Sequence, residues 1–296
     1  MKDTIMAREL KMRIAGVTVR FVSESVLLEI SDAHPRFLVD DGQADILIRV
    51  HYGQLPTLAL EEKLFDTGSF WTLHRSQGKY VFSFTSPVFG PLPYSLAILK
   101  EDFTQGDLYF RPTDDRPARS VCPVLYPFDE VLMVNYLARG GGGMDIHACG
   151  IDMGGKGLAF VGVSGAGKST TARLWQKRQV PILSDDRLIL RKEGGRFFMH
   201  GTPWHGDAWA SLPGKAPLEG LYFLKQAPKN YIQSLAPGDA ARRLLVRCFP
   251  PFYLASGMEF ILGFIDELTQ KVPSYELGFL PDDSAVETVL HHVRSK

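Results

Sequence analysis

The run Gly162-Val163-Ser164-Gly165-Ala166-Gly167-Lys168-Ser169 meets the pattern GxxxxGK[ST] at every fixed position. Each fixed residue has a physical reason to be there. Glycine lets the backbone curl until successive N–H groups face one point. A helix that starts at the end of the run turns its partial positive charge to the same point. Lys168 adds a full charge for the β- and γ-phosphates, and the Ser169 hydroxyl can ligate Mg²⁺. An apolar segment, Leu158–Val161, precedes the run, and helix formers, Thr170–Trp175, follow it. The chemistry expected is binding of ATP, with Gly162, Ser164, Gly165, Ala166, Gly167, Lys168, Ser169 and Thr170 as its contacts.

Asp185 and Asp186 follow a short apolar run, Val180–Leu183, expected to form a strand beside the one that feeds the loop. Phosphoryl transfer needs a carboxylate to hold Mg²⁺ and commonly another to take the proton of the nucleophile. Two neighbouring carboxylates would repel a triphosphate unless a cation intervened, so the pair implies Mg²⁺. The structural alternative is a solvated acidic turn with Arg187 as its partner. His147 lies fifteen residues before Gly162, at the start of a predicted strand, Ile146–Ile151. A lone histidine serves structure as readily as chemistry. Gly201-Thr202-Pro203-Trp204-His205-Gly206 fixes a tight loop with one flat ring; it reads equally as a border of the nucleotide or acceptor and as a packed turn. His291-His292 reads as surface.

These residues need elements to hold them. Up to about Pro127 the pattern is β-rich: Val17, Val19 and Phe21 alternate with Thr18 and Arg20, Tyr80, Phe82 and Phe84 alternate with Val81 and Ser83, and Ile46, Ile48 and Val50 repeat with the same period of two. Gln77-Gly78 is placed to turn a hairpin between Phe70–His74 and Lys79–Phe84. Arg111–Pro127, rich in proline and charge, reads as a connection. A helix is predicted over Phe128–Arg139, ended by the glycines at 140–143. From Met144 strand and helix alternate: strands at Gly157–Val161, Leu188–Leu190, Arg196–His200 and Leu221–Leu224, helices at Ser169–Lys177 and Asp239–Cys248, a helix opened by a capping box at Ser256–Glu259, and a last helix with Val286, Val289, Leu290 and Val293 on one face. The division expected is a β-rich domain, 1–125, and an α/β domain, 126–296, that carries the loop.

Bulk properties narrow the classes. Of 296 residues, 45% are hydrophobic and 22% charged, as in a globular protein, and 33 basic residues balance 33 acidic ones. No net field is available for nucleic acid or an anionic membrane. The three cysteines, Cys122, Cys149 and Cys248, form neither a disulfide framework nor a zinc knuckle. The charged start MKDTIMAREL lacks the apolar core of a signal peptide, and no stretch nears the ~18 apolar residues of a membrane span. A cytoplasmic location is expected.

The run IHACGIDMGGKGLAFVGVSGAGKSTTARLW, followed by PILSDDR, resembles the kinase core of HPr kinase/phosphorylase, a fold shared with ATP-dependent phosphoenolpyruvate carboxykinase. PFDEVLMVNYLARG and GTPWHG resemble HPr-kinase-related proteins described as serine kinases. The resemblance implies an α/β fold with a P-loop kinase core of this type, and an ATP- and Mg²⁺-dependent transfer of the γ-phosphate to a hydroxyl, serine above all, of a protein, peptide or small molecule. By position it implies that Lys168 holds phosphate and that Ser169 ligates Mg²⁺. One of Asp185 and Asp186 would ligate metal and the other act as general base, Asp186 being the favoured base. His147 would lie near the transferred phosphate, and a homo-oligomer is implied. The sequence departs from the family at Val163 and Thr170, where the family has acidic residues, and it lacks the Arg- and Gly-rich C-terminal signature tied to the phosphorylase reaction. Two other readings remain: a nucleotide-binding regulator or peptide-recognition protein without transfer, and a carboxykinase using Arg187, Arg242 and Arg243.

Overall fold

The computed structural model describes residues 4–113 and 118–295. It is a mixed α/β protein, rich in sheet and poor in helix, and it divides into two compact units, Met1–Gly141 and Gly142–Lys296. Among the described residues no helix is long and apolar enough to cross a membrane. Part of the predicted connection, residues 114–117, lies outside the described residues.

The first unit is built on strands β1 (Ile5–Ala7), β2 (Glu9–Ile14), β3 (Val17–Val22), β4 (Leu27–Ile30), β5 (Ile46–Tyr52), β6 (Glu62–Asp66), β7 (Trp71–Ser76), β8 (Lys79–Phe84), β9 (Ser95–Lys100), β10 (Gln105–Phe110) and β11 (Ser120–Val121), followed by helix α1 (Phe128–Tyr136). Eight strands form one sheet in the order β2-β3-β5-β10-β9-β8-β7-β6, and β1-β4-β11 form a small second sheet. The period-two residues make the core: Val17, Val19, Phe21, Ile46, Ile48, Val50, Phe82 and Phe84 are all buried. The β7–β8 hairpin turns at Gln77-Gly78, both at positive φ (49° and 69°), the twist-matched geometry of a two-residue hairpin. Helix α1 belongs to this unit, since the Phe128 ring meets the edge of Phe84 at 6.0 Å and His34 pairs with Asp129 at 3.3 Å. The division between the units therefore falls after Gly141, not after residue 125. The helix is also shorter than predicted, passing at Leu137–Gly141 into a single π turn.

The second unit contains β12 (Gly143–Asp152), β13 (Gly157–Val161), α2 (Lys168–Gln176), β14 (Ile182–Ser184), β15 (Arg187–Glu193), β16 (Arg196–His200), β17 (Lys215–Gln226), β18 (Tyr231–Ser234), α3 (Pro237–Leu245), α4 (Ala255–Lys271), β19 (Ser274–Phe279) and α5 (Asp283–Arg294). Strands β12, β15, β16, β17 and β13 pair in succession, and β13 pairs back onto β12, so the five close a ring. The two long strands make this closure. The first half of β12 pairs with β15 and its second half with β13, while β17 passes from β16 to β13 and β19. Alternate residues face two cores. Val161 and Phe223 pack under α3 and α4, and Phe160 and Tyr222 pack under α2 and α5.

Three local expectations change. The strand before the aspartates pairs with β12, not with the loop strand β13, because β13 is flanked by β12 and β17. Ser256 lies inside α4, whose cap is Leu254 without a side-chain hydrogen bond, so Ser256–Glu259 is no capping box. His292 is half-buried, its ring edge-on to Tyr275 at 4.7 Å, while His291 is exposed.

Candidate active site

The glycine run connects the end of β13 to the start of α2. Gly165 and Gly167 take positive φ (78° and 109°), which glycine reaches without the cost of a Cβ. Gly167 is also crowded: a Cβ there would stand 2.3 Å from Cζ of Phe279. The Ala166 N–H donates to the Val163 carbonyl at 3.1 Å, closing a turn inside the loop, and the Thr171 N–H donates to Gly167 O at 2.8 Å as α2 begins. The N-terminus of α2 thus opens at Lys168, where its unpaired N–H groups and dipole favour an anion.

His147 sits at the point where β12 changes neighbours. Its carbonyl accepts the N–H of Gly162 at 3.1 Å, and its own N–H donates to Arg247 O at 2.7 Å. Its ring Nε2 lies 2.7 Å from Oδ1 of Asp186. The Lys168 ammonium lies 3.7 Å from the same oxygen and donates to Val163 O at 3.3 Å. Arg187 Nε lies 3.7 Å from Asp186 Oδ2. Burial raises the Asp186 pKa, but the His147 hydrogen bond and the charges of His147, Lys168 and Arg187 outweigh it and hold the carboxyl below its usual range. Burial lowers the Lys168 pKa, with Asp186 opposing the shift.

Arg187 is itself clamped. Its guanidinium lies over the Phe249 ring at 3.8 Å and reaches Asp145 Oδ2 at 3.5 Å. Burial pushes the Asp145 carboxyl up to about 7 against the pull of Arg187.

Asp185 has a different setting from Asp186. It is wholly buried, and its two oxygens accept the backbone N–H groups of Gly206 (2.9 Å), Ala208 (2.9 Å) and Ala210 (3.2 Å). It ties down the loop that follows β16. Its Oδ2 also comes near Ser169, for a Cβ built on Gly206 would meet Asp185 Oδ2 at 2.9 Å and Ser169 Oγ at 3.1 Å. Ser184 holds the backbone at Asp186: its hydroxyl donates to Trp204 O at 3.0 Å and accepts the N–H groups of Asp186 and Arg187.

A cavity of about 330 Å³ opens over these groups. The glycine loop lines it with Ser164, Gly165 and Gly167, and α2 with Lys168, Ser169, Thr170 and Arg173. His147, Asp186, Gly206 and Asp207 complete the wall. Among the described residues no cluster of three or more His, Cys, Asp or Glu side chains is arranged to hold a metal.

Residues 121–248 match the family described as SynChlorMet cassette protein ScmC, less than half of the chain. No curated protein matches. Among solved structures, the Hpr(Ser) kinase/phosphatase from Coxiella burnetii is similar at 12% identity, with a TM-score of 0.31, over 51% of this chain and 95% of that one.

Of the residues predicted from sequence, the structure gathers His147, Lys168, Ser169 and Asp186 on one cavity, with Ser164, Gly165, Gly167 and Thr170. Gly162 and Ala166 face each other inside the loop, where a Cβ on Gly162 would meet Ala166 Cβ at 2.7 Å. Asp185 stands behind the wall. Asp145, Arg173, Asp207 and Phe249 escaped the sequence reading. Asp145 had a signal, since it precedes His147 by two residues on one strand and so shares its face. Arg173 binds Asp207 O at 2.7 Å through a contact between distant segments, which no local pattern announces.

Proposed function

We propose that this chain is an ATP-dependent phosphotransferase that moves the γ-phosphate to a hydroxyl, of the serine type, on a protein, peptide or small molecule. The observation that carries the reading is the meeting of Lys168 and His147 on one oxygen of Asp186, at the mouth of the glycine loop. The loop amides, the start of α2 and Lys168 offer positive charge to a triphosphate. Asp186 stands where an acceptor hydroxyl would approach, and His147 and Arg187 fix its carboxylate. An entering phosphate competes for Lys168 and so relieves Asp186 of one of its cations, which raises its basicity as the reaction needs.

Mg²⁺ commonly keeps water and binds through one or two carboxylates together with substrate phosphates. The residues that would hold it are Ser169, on the cavity wall, and Asp185, through the one lone pair that its backbone bonds leave free, on Oδ2. When bound it neutralises phosphate charge.

The test is a labelled-ATP assay against free serine, HPr-like proteins and peptides, with Lys168→Ala as control. Label in an acceptor with the parent protein alone supports the reading. Label transfer that persists in Lys168→Ala sinks it.

A second reading, a nucleotide-binding regulator without transfer, draws on one observation: both oxygens of Asp186 already face cations, which makes it a weak base. Tight ATP binding with no labelled product from any acceptor would favour this second reading.

A further inference from the structure

Arg243, in the last turn of α3, and Arg247, just beyond it, lie one helical turn apart beside the start of the glycine loop. We propose that, with Lys225, they form an anion subsite that receives a carboxylate or phosphate group carried by the hydroxyl-bearing acceptor. This rests on the phosphotransferase reading above.

Position comes first. The Arg247 carbonyl accepts the N–H of His147, and the His147 carbonyl accepts the N–H of Gly162. Arg247 and the first loop glycine are therefore joined through the two backbone groups of one active-site residue. Lys225 comes up from the other side. Phe223 pairs with Val161, and a Cβ on Gly162 would meet Leu224 Cβ at 3.6 Å, so the next residue of β17 is level with the loop.

Charge comes second. Among the described residues Glu276 is the one carboxylate paired with this group: its Oε1 takes Lys225 at 3.2 Å and the Tyr231 hydroxyl at 2.6 Å, and its Oε2 takes Arg243 at 2.8 Å. Two of the three cations thus share one carboxylate, and among the described residues Arg247 makes no ion pair. Arg247 donates one N–H to the Arg243 carbonyl at 2.8 Å, which caps the end of α3, but its Nε is buried without a partner. Capping accounts for the first bond and leaves the second donor unexplained. Burial and the neighbouring Arg243 both act against the Arg247 charge, and an anion bound between the two would relieve both. A guanidinium pair suits this task because each presents a planar fork to a carboxylate or phosphate.

The acceptor class that follows is a hydroxy acid or a hydroxylated phosphate ester. The test is NMR of the full chain with ¹⁵N-arginine, saturated with MgADP, reading the arginine Nε–H signals. Glycerate, glycerol 3-phosphate and glycerol are titrated in turn; the first two separate carboxylate from phosphate, and the third lacks an acid group. A saturable shift of the Arg243 and Arg247 signals with either acid, none with glycerol, and at least tenfold weaker binding in Arg247→Gln and in Lys225→Gln is expected. No acid-dependent shift, equal shifts with glycerol, or undiminished binding in both variants overturns the subsite. The parent-protein comparison of acid with glycerol needs no variant to fold. MgADP binding without any acid response overturns this inference alone, whereas failure of MgADP to bind overturns the phosphotransferase reading with it.

Discussion

Asp186 Oδ1 lies 2.7 Å from His147 Nε2, close enough for the ring to fix which way the carboxylate faces. The same oxygen neighbours Lys168, whose side chain is only 6% exposed. On the phosphotransferase reading, a group so placed acts on the acceptor more than on the nucleotide. Asp186→Asn is expected to bind MgATP within a few-fold of the parent while transfer slows by roughly 10²–10⁴, the usual worth of a general base. Binding by calorimetry and transfer of label, measured on the same sample, check it. Equal loss of both would mean that Asp186 serves binding instead.

Asp185 accepts three backbone N–H groups from one loop. Asp185→Ala removes the acceptor of one buried donor, Ala210, and two half-buried ones, Gly206 and Ala208, at about 1–3 kcal/mol each with the lower end for the half-buried pair. A loss of about 3–5 kcal/mol is expected, which for a unit of this size lowers Tm by roughly 6–20 °C. Thermal unfolding measures it; an unchanged Tm would show that the loop does not depend on this carboxylate.

Two buried groups tie stability to pH with opposite signs. Burial lowers the His200 pKa to about 4 from its ordinary 6.5. Between those values the unfolded chain holds the extra proton, so this contribution is complete above pH 6.5 and is lost as pH falls toward 4. Burial raises Asp145 to about 7 from 3.8, so there the folded chain holds the extra proton, and that contribution is lost as pH rises through 7. His200→Phe is expected to flatten the fall of stability on the acid side, and Asp145→Asn to remove the fall toward neutrality. Each effect is roughly 1–3 kcal/mol. Urea midpoints at pH ~4.5 and ~7.5 read both, and parallel pH profiles for parent and variants would contradict them.

Gly165 and Gly167 differ in what an added methyl meets. At Gly165 nothing lies within 4 Å, while at Gly167 the Phe279 ring is in the way. Gly165→Ala should carry only the left-handed backbone cost, about 1–2 kcal/mol, and weaken MgATP binding modestly. Gly167→Ala should lower Tm further and weaken binding by more than tenfold. Equal behaviour of the two variants would show that the ring contact is unimportant.

Much of the site could be read from the chain because its chemistry sits in local runs. The glycine loop, its strand and its helix are contiguous, so spacing alone located Gly162 to Thr170. The Asp pair was legible as a strand end, but not its strand's neighbour: pairing of β14 with β12 depends on the ring closure of β12, β13 and β17, which is set over long sequence distances. For the same reason the different roles of Asp185 and Asp186 were hidden, since the Gly206, Ala208 and Ala210 amides that bind Asp185 come from a distant loop. In the first unit, period-two alternation located β3, β5 and β8. The capping signal at Ser256 misled because Leu254, an apolar residue, ends the preceding extended segment and α4 begins before the serine.

The measurement that bears most directly on the account is calorimetric titration of MgATP into the parent protein and into Lys168→Ala, because it needs no knowledge of the acceptor. The account predicts saturable one-to-one binding by the parent and a loss of about 10²-fold or more in the variant, the order expected for removing a full charge aimed at phosphate. No binding by the parent, or equal binding by the two proteins, would contradict it.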